Sequence, residues 1–225
     1  MDSSRRPALL MLALAGACHA QMPSHAQMPS HDEMQRATAA AEPQARSIGI
    51  TLRTGTLWLA ALRERAPLVA AYGGGVCQLG YSAYTPGRDY QWLFPALPAQ
   101  QRSLWLAGVV HHELAHCADQ ADAPVARGGT LALAEGGPGY ALGQRWHEVL
   151  GDLAFALHVD RASPDGESLI RQLAALRASQ HAHDPAHDSS RELLCYLQQR
   201  HSVSTKLPWL STLHALRERC WQAPG

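Results

Sequence analysis

Ten consecutive residues constrain this chain more than any others: Val110-His111-His112-Glu113-Leu114-Ala115-His116-Cys117-Ala118-Asp119. Residues four apart on an α-helix stand one turn above each other. His112 and His116 can therefore turn two imidazole nitrogens toward one metal ion, with Glu113 beside the first ligand and within reach of a water on that metal. The surrounding residues predict the helix this needs. From Gln101 to Asp119 the only helix-weakening residue is Gly108, and Leu104, Ala107, Val110, Leu114 and Ala118 recur at helical spacing. Trp105 and Val109 continue the row of His112 and His116, so the helix is apolar on most sides and should be buried. Buried imidazoles and a buried carboxylate need partners. A metal satisfies all three at once, whereas hydrogen-bonded core histidines are the plainer alternative. His111 lies five residues from His116 and well round the helix, so His112 is the better first ligand. Cys117 is one position round from His116 and should not join the same ion.

Two helical histidines make a zinc site only with a third protein ligand and an open position. The downstream run Trp146-His147-Glu148-Val149-Leu150-Gly151-Asp152-Leu153-Ala154-Phe155-Ala156-Leu157 offers one. Glu148 and Asp152 share a helix face, and Gly151 permits close approach of a neighbouring helix. The roles divide: Glu148 binds metal, while Asp152 accepts the outer ring N–H of a ligand histidine and fixes its tautomer. An amphipathic helix with two solvated acids is the alternative.

With these residues in place, the chain resembles a gluzincin, the group of zinc peptidases whose third ligand is a Glu on a second helix, written Glu-x-x-x-Asp. Thermolysin-like enzymes and prenyl-peptidase-like membrane proteases carry such motifs. The resemblance spans roughly Leu104 to Leu157 and rests on about five positions. It implies His112, His116 and Glu148 as ligands of one Zn2+ per chain, Glu113 as catalytic base and Asp152 as the carboxylate behind the ligand. Gly151 stands where the membrane group often has Ala, and the gap from His116 to Glu148 is longer than in thermolysin. The fold expected is α+β and predominantly helical, zincin-like, with the active-site helix, a second Glu-bearing helix and a small β element upstream.

The start of the chain reads as an export signal over residues 1–17. Arg5 and Arg6 precede an apolar stretch, Ala8 to Ala17, that is too short to span a bilayer. Leu14-Ala15-Gly16-Ala17-Cys18 resembles a bacterial lipoprotein box, with Cys18 as the lipidated residue; ordinary cleavage after Ala17 or Ala20 is the alternative. His-Ala-Gln-Met-Pro-Ser then occurs twice between His19 and Ser30. Such a short polar repeat cannot bury a core, so residues 18–43 read as a flexible tether and residues 44–225 as one metallopeptidase-sized domain. The location implied is the periplasm, or the outer membrane of a Gram-negative bacterium through a lipid anchor. Five cysteines fit that compartment: if Cys18 is lipidated, Cys77, Cys117, Cys195 and Cys220 suffice for two disulfides. Cys195 with Cys220, and then Cys77 with Cys117, is one of three pairings, and sequence does not choose among them.

Formal net charge is zero. No basic face interleaved with aromatics suggests a nucleic-acid partner. The expected partner is a peptide or protein substrate.

The remaining segments predict the surroundings of the cleft. Ile48 to Tyr72 should contain a helix ended by Pro67 or by Gly73-Gly74-Gly75. Val76 to Tyr84 alternates as a strand, placed where zincins carry the edge strand that pairs with extended substrate; a plain structural strand is the equal alternative. Pro86 to Pro98, with Tyr90, Trp92 and Phe94, should loop over the pocket or the core, and Ala121 to Gly139 should wall the cleft with a turn or strand near Thr130 to Ala134. Tyr140 opens the second helix and is one candidate donor to a reaction oxyanion. A turn at Ser163-Pro164-Asp165-Gly166 leads to a helix through Gln180. His181, His183 and His187 crowd a polar loop that is either solvated, a second metal site, or the source of an electrophilic histidine for the cleft. Ser189-x-x-Glu192 resembles a capping box, and a last helix covers about Pro208 to Trp221. These features point to zinc-assisted peptide hydrolysis. A non-catalytic zinc-binding envelope lipoprotein, or an amidase acting on cell-wall peptides, is the alternative.

Overall fold

The computed structural model describes residues 29–56, 68–81, 94–122, 140–182, 184–203 and 206–221. Among them the chain is mostly helical, with one small sheet: the predominantly helical α+β class expected. No helix among the described residues is long and apolar enough to cross a membrane. The expected signal peptide, Cys18 as the expected lipidated residue, Tyr90 and Trp92 of the expected loop, the Thr130 to Ala134 segment and His183 lie outside the described residues.

The first helix, α1 (His31–Ser47), corrects residues 31–43 of the expected tether; residues 18–28 of it lie outside the described residues. Ser30 and Glu33 form a reciprocal capping box, which satisfies two of the N–H groups a helix start leaves unpaired. Met34, Ala37, Thr38, Ala41 and Ala45 form a stripe that is buried in the core. Only five core-facing positions of small or flexible side chains separate this helix from a polar composition, which is why it reads as a linker. Pro43 does not break it. Glu33 also accepts from Arg102 Nε at 2.6 Å, tying α1 to the helix that follows the sheet.

Within Ile48 to Tyr72 the second correction concerns the two ends, which are strands, β1 (Thr51–Thr56) and β2 (Leu68–Gly73), rather than helix; residues 57–67 of the predicted helix, with Leu59 and Leu62, lie outside the described residues. The β-branched Thr51, Thr54 and Thr56 favour extended backbone in β1. The next strand, β3 (Val76–Tyr81), keeps the predicted alternation, with residues 82–84 of that stretch outside the described residues: Cys77, Leu79 and Tyr81 face inward and Gln78 outward. Gly74 and Gly75 join β2 to β3 with φ of 56° and 80°, the two positive values a type I′ hairpin demands and only glycine supplies readily. β3 then pairs in parallel with β1, giving the order β1-β3-β2. It is therefore the central strand and not the edge expected for substrate pairing. Alternation reports which face a strand buries but not who its neighbours are.

Two long helices pack along each other to form the centre of the fold: α2 (Ala99–Asp122) and α3 (Tyr140–Ala162). Trp105 and Phe155 meet edge to face at 4.9 Å in their interface. A Cβ on Gly108 would stand 2.6 Å from the Phe155 ring, so the close approach requires glycine. Around this pair lie α4 (Gly166–Gln180), α5 (Ser190–Gln199) and α6 (Trp209–Cys220). Two disulfides hold the shell. Cys77–Cys117 bolts β3 to α2, and Cys195–Cys220 joins α5 to α6.

Candidate metal centre

Helical spacing brings the histidines together as expected. His112 and His116 stand on one face of α2 with their Nε2 atoms 2.9 Å apart. Glu148 enters from α3, its Oε2 3.5 Å from His112 Nε2 and its Oε1 3.8 Å from His116 Nε2. One ligand atom from each of the three lies within 4.8 Å of the others, so the group could hold a metal ion. His112 is buried, whereas His116 and Glu148 are partly exposed and open the site to solvent.

Asp152 stands one turn beyond Glu148 and accepts from His112 Nδ1 at 2.8 Å. A carboxylate can only accept here, so Nδ1 keeps its proton and Nε2 is the atom whose lone pair a metal would take. Gly151 makes the arrangement possible. A Cβ at that position would lie 2.6 Å from His112 Cε1 and Nδ1. The imidazole rests directly on the α3 backbone.

Three residues behind the site carried no functional reading in the sequence. Arg177 of α4 donates to Asp152 with a two-pronged fork, Nε to Oδ2 at 2.7 Å and Nη2 to Oδ1 at 2.8 Å. Its Nη2 also lies 3.7 Å from Glu148 Oε2. Ser189 Oγ donates to Asp152 Oδ2. Asp184 pairs with His187 Nδ1 at 2.6 Å. A signal for Arg177 existed: it continues the stripe of Leu169, Ile170, Leu173 and Ala174, and a cation on an apolar stripe needs a buried partner. Ser189 gave none, and its apparent capping box is a third correction. Ser189 makes no cap hydrogen bond, and Glu192 is drawn to Arg145 Nη2 at 2.6 Å.

The histidine-rich loop divides. His187 Nε2 stands 3.3 Å from Glu148 Oε1, beside the metal group. His181 is exposed and pairs with Asp188 at 2.7 Å. His111 stays out of the site, as its register predicts, and stacks on His158. Cys117 is committed to its disulfide. Tyr140 does begin α3, but its side chain lies outside the described residues. Below the ligands Asp119 accepts from His147 Nδ1 at 2.9 Å and His214 Nε2 at 3.2 Å, and is held far below the usual carboxylate range once those bonds and Arg217 overcome burial.

Electrostatics sort the cluster by role. Burial would depress His112, but its bonds to Asp152 and Glu148 and their charges outweigh it and raise the group to about 10. Burial, then the charge on His112, pushes His116 down to about 4. One proton is thus held on the pair where a metal would bind. Glu148 stays well below the ordinary value: burial opposes ionisation, but His187 and His112 more than compensate. Glu113 goes the other way. Burial and the Glu148 charge raise it to about 7, against the opposing charge of His112. Chemically, the arrangement can bind a cation through two imidazoles and one carboxylate, and it keeps beside them a carboxyl that titrates near neutrality. No protein-family model, no curated protein and no solved structure matches this chain, so its chemistry is read from its own residues.

Proposed function

We propose that this chain is a zinc metallopeptidase of gluzincin type, exported to the bacterial envelope. The observation that carries the reading is the convergence of His112, His116 and Glu148 beside a partly buried Glu113 raised to about 7. Two imidazoles and one carboxylate are the donor set of catalytic zinc sites, which keep a further position open. Zinc, when bound, lowers the pKa of a coordinated water towards neutrality and polarises a carbonyl.

The other roles fall to side chains. His112 and His116 bind through Nε2, and Asp152 keeps the first of them in that tautomer. Glu113 takes a proton from the attacking water onto a carboxylate oxygen and hands it to the leaving amine; a group near 7 is suited to both steps. His187 is the donor best situated for the developing oxyanion, with Asp184 orienting its Nδ1. Two disulfides favour an oxidising compartment, which accords with export.

One observation favours a second reading. His187 Nε2 lies 3.3 Å from a ligand oxygen, near enough that a small shift could close the metal within four protein ligands, as in a structural zinc site of an envelope lipoprotein. The test is a panel of peptides and muropeptides incubated with the zinc-loaded chain. Cleavage that disappears in Glu113→Gln, with zinc still bound, supports the peptidase or, on muropeptides, the amidase. Full zinc occupancy without cleavage of any member favours the structural site.

A further inference from the structure

We infer that Arg177, on the third helix of the site, is a positioning residue that holds the metal centre together by gripping Asp152 and Glu148 at once. The inference rests on the metal reading above, since it concerns how the ligands are held. Asp152 is saturated: it accepts from His112 Nδ1, from both prongs of Arg177 and from Ser189. Its direction, and with it the direction of the His112 ring, is therefore fixed from α4 and not from α3 alone. The same guanidinium lies 3.7 Å from Glu148 Oε2. One buried cation thus sets the spacing between the carboxylate that binds the metal and the carboxylate that aims a ligand.

The geometry supports it. Glu148 and Asp152 are one turn apart on α3, and Asp152 is buried with the Arg177 fork on both its oxygens. Two neighbouring carboxyl groups are held at a fixed separation when one cation bridges them, as Arg177 does here. Arg177 is 2 % exposed and cannot lend its charge to solvent. The planar fork matters as well as the charge, because two parallel N–H bonds fix the plane of Asp152, whereas an ammonium acts as a point charge. The Ser189 contact extends the grip to the segment that carries His187, two residues earlier.

The test measures zinc affinity by competition with a chromophoric chelator, in the mature chain and in Arg177→Met and Arg177→Lys. Partners of this kind are worth about 10- to 100-fold in metal affinity. Both variants should lose that much, with Lys recovering little because the fork is gone. Arg102→Met, which breaks the pair with Glu33 between α1 and α2, is the control for general destabilisation; it should lower the melting temperature and leave zinc affinity unchanged. Hydrogen exchange supplies a second readout. Zinc should slow exchange at residues 184–190 in the parent and much less in Arg177→Lys. If Arg177→Met does not fold, Arg177→Lys carries the test. Zinc affinity within twofold of the parent in Arg177→Lys, with the same protection of 184–190, would overturn the role of Arg177 and leave the metal site standing. A parent that binds no zinc would overturn both.

Discussion

The interface of α2 and α3 contains two histidine pairs that differ by a single step in sequence. His112 and His116 bring their Nε2 atoms 2.9 Å apart with two carboxylates behind them. His111 and His158 instead stack face to face, ring centroids 3.8 Å apart at 18°, against a cavity of about 220 Å³ lined also by Gln44, Arg161 and Trp209. His111 donates Nδ1–H to Ala107 O at 2.8 Å, and among the described residues no carboxylate offsets the burial of either ring. The residue type and the two helices are shared. What separates the pairs is charge compensation: the first pair retains a proton because Asp152 and Glu148 offset its burial, whereas burial drives His111 down and His158 to about 3. A buried histidine with acids behind it is suited to hold a metal ion. Without them it is a neutral aromatic packing group.

The largest break in this contrast should come from removing a ligand. Glu148→Ala should drop zinc from one per chain to almost none, while His158→Ala keeps full occupancy; metal analysis after gel filtration checks both. Next in size is Glu113→Gln, expected to lower hydrolysis of a cleaved peptide by roughly 10²- to 10⁴-fold, the usual worth of a general base, with zinc retained. Loss of zinc in that variant would transfer Glu113 from base to ligand support.

Glycine substitutions sharpen the comparison at the backbone. Gly151→Ala and Gly108→Ala should each cost about 1–3 kcal/mol in denaturant melts, the usual price of overpacking. Only Gly151→Ala should also weaken zinc, because its added carbon meets the His112 ring while that on Gly108 meets Phe155. Zinc loading should further release on the order of one proton per chain at pH 7, since His112, held near 10, must give up its proton to bind metal. Calorimetry in buffers of different ionisation heat measures that number. A value near zero would mean that the pair carries no proton.

The smallest effect belongs to the stacked pair. His158 is neutral in the fold and ordinary when unfolded, so the unfolded chain binds the extra proton between about pH 6.5 and 3. Its contribution should be complete above the unfolded value and fade as the pH falls through that window. His158→Leu should flatten that part of the stability profile. An unchanged slope would show that the ring titrates freely in the native protein.

How far the site was legible depended on the distance over which its parts interact. His112, His116, Glu148 and Asp152 lie within single helices at spacings set by the helical turn, so their joint faces can be read directly. Arg177 and Ser189 act on Asp152 across 25 and 37 residues, where only the packing of α4 and the following turn brings them close. Two matching patterns make the same point. Ser30 and Glu33 form a capping box, whereas Ser189 and Glu192, with the same spacing, are taken by Asp152 and Arg145. A local bond forms when nothing stronger competes, and a buried carboxylate or guanidinium competes strongly.

The chain by itself determined the two central helices, the ligand faces upon them, the inward side of β3 and a number of cysteines suited to two bridges. These follow from periods of 3.6 and 2 residues, fixed by backbone geometry. Only the tertiary structure decided that β3 is central, that residues 31–47 belong to the core, that Cys77 pairs with Cys117 and Cys195 with Cys220, and that Arg177, Ser189 and His187 gather at the site. Those outcomes depend on which surfaces meet, and that is set by burial and charge compensation summed over the whole fold rather than by the order of neighbouring residues.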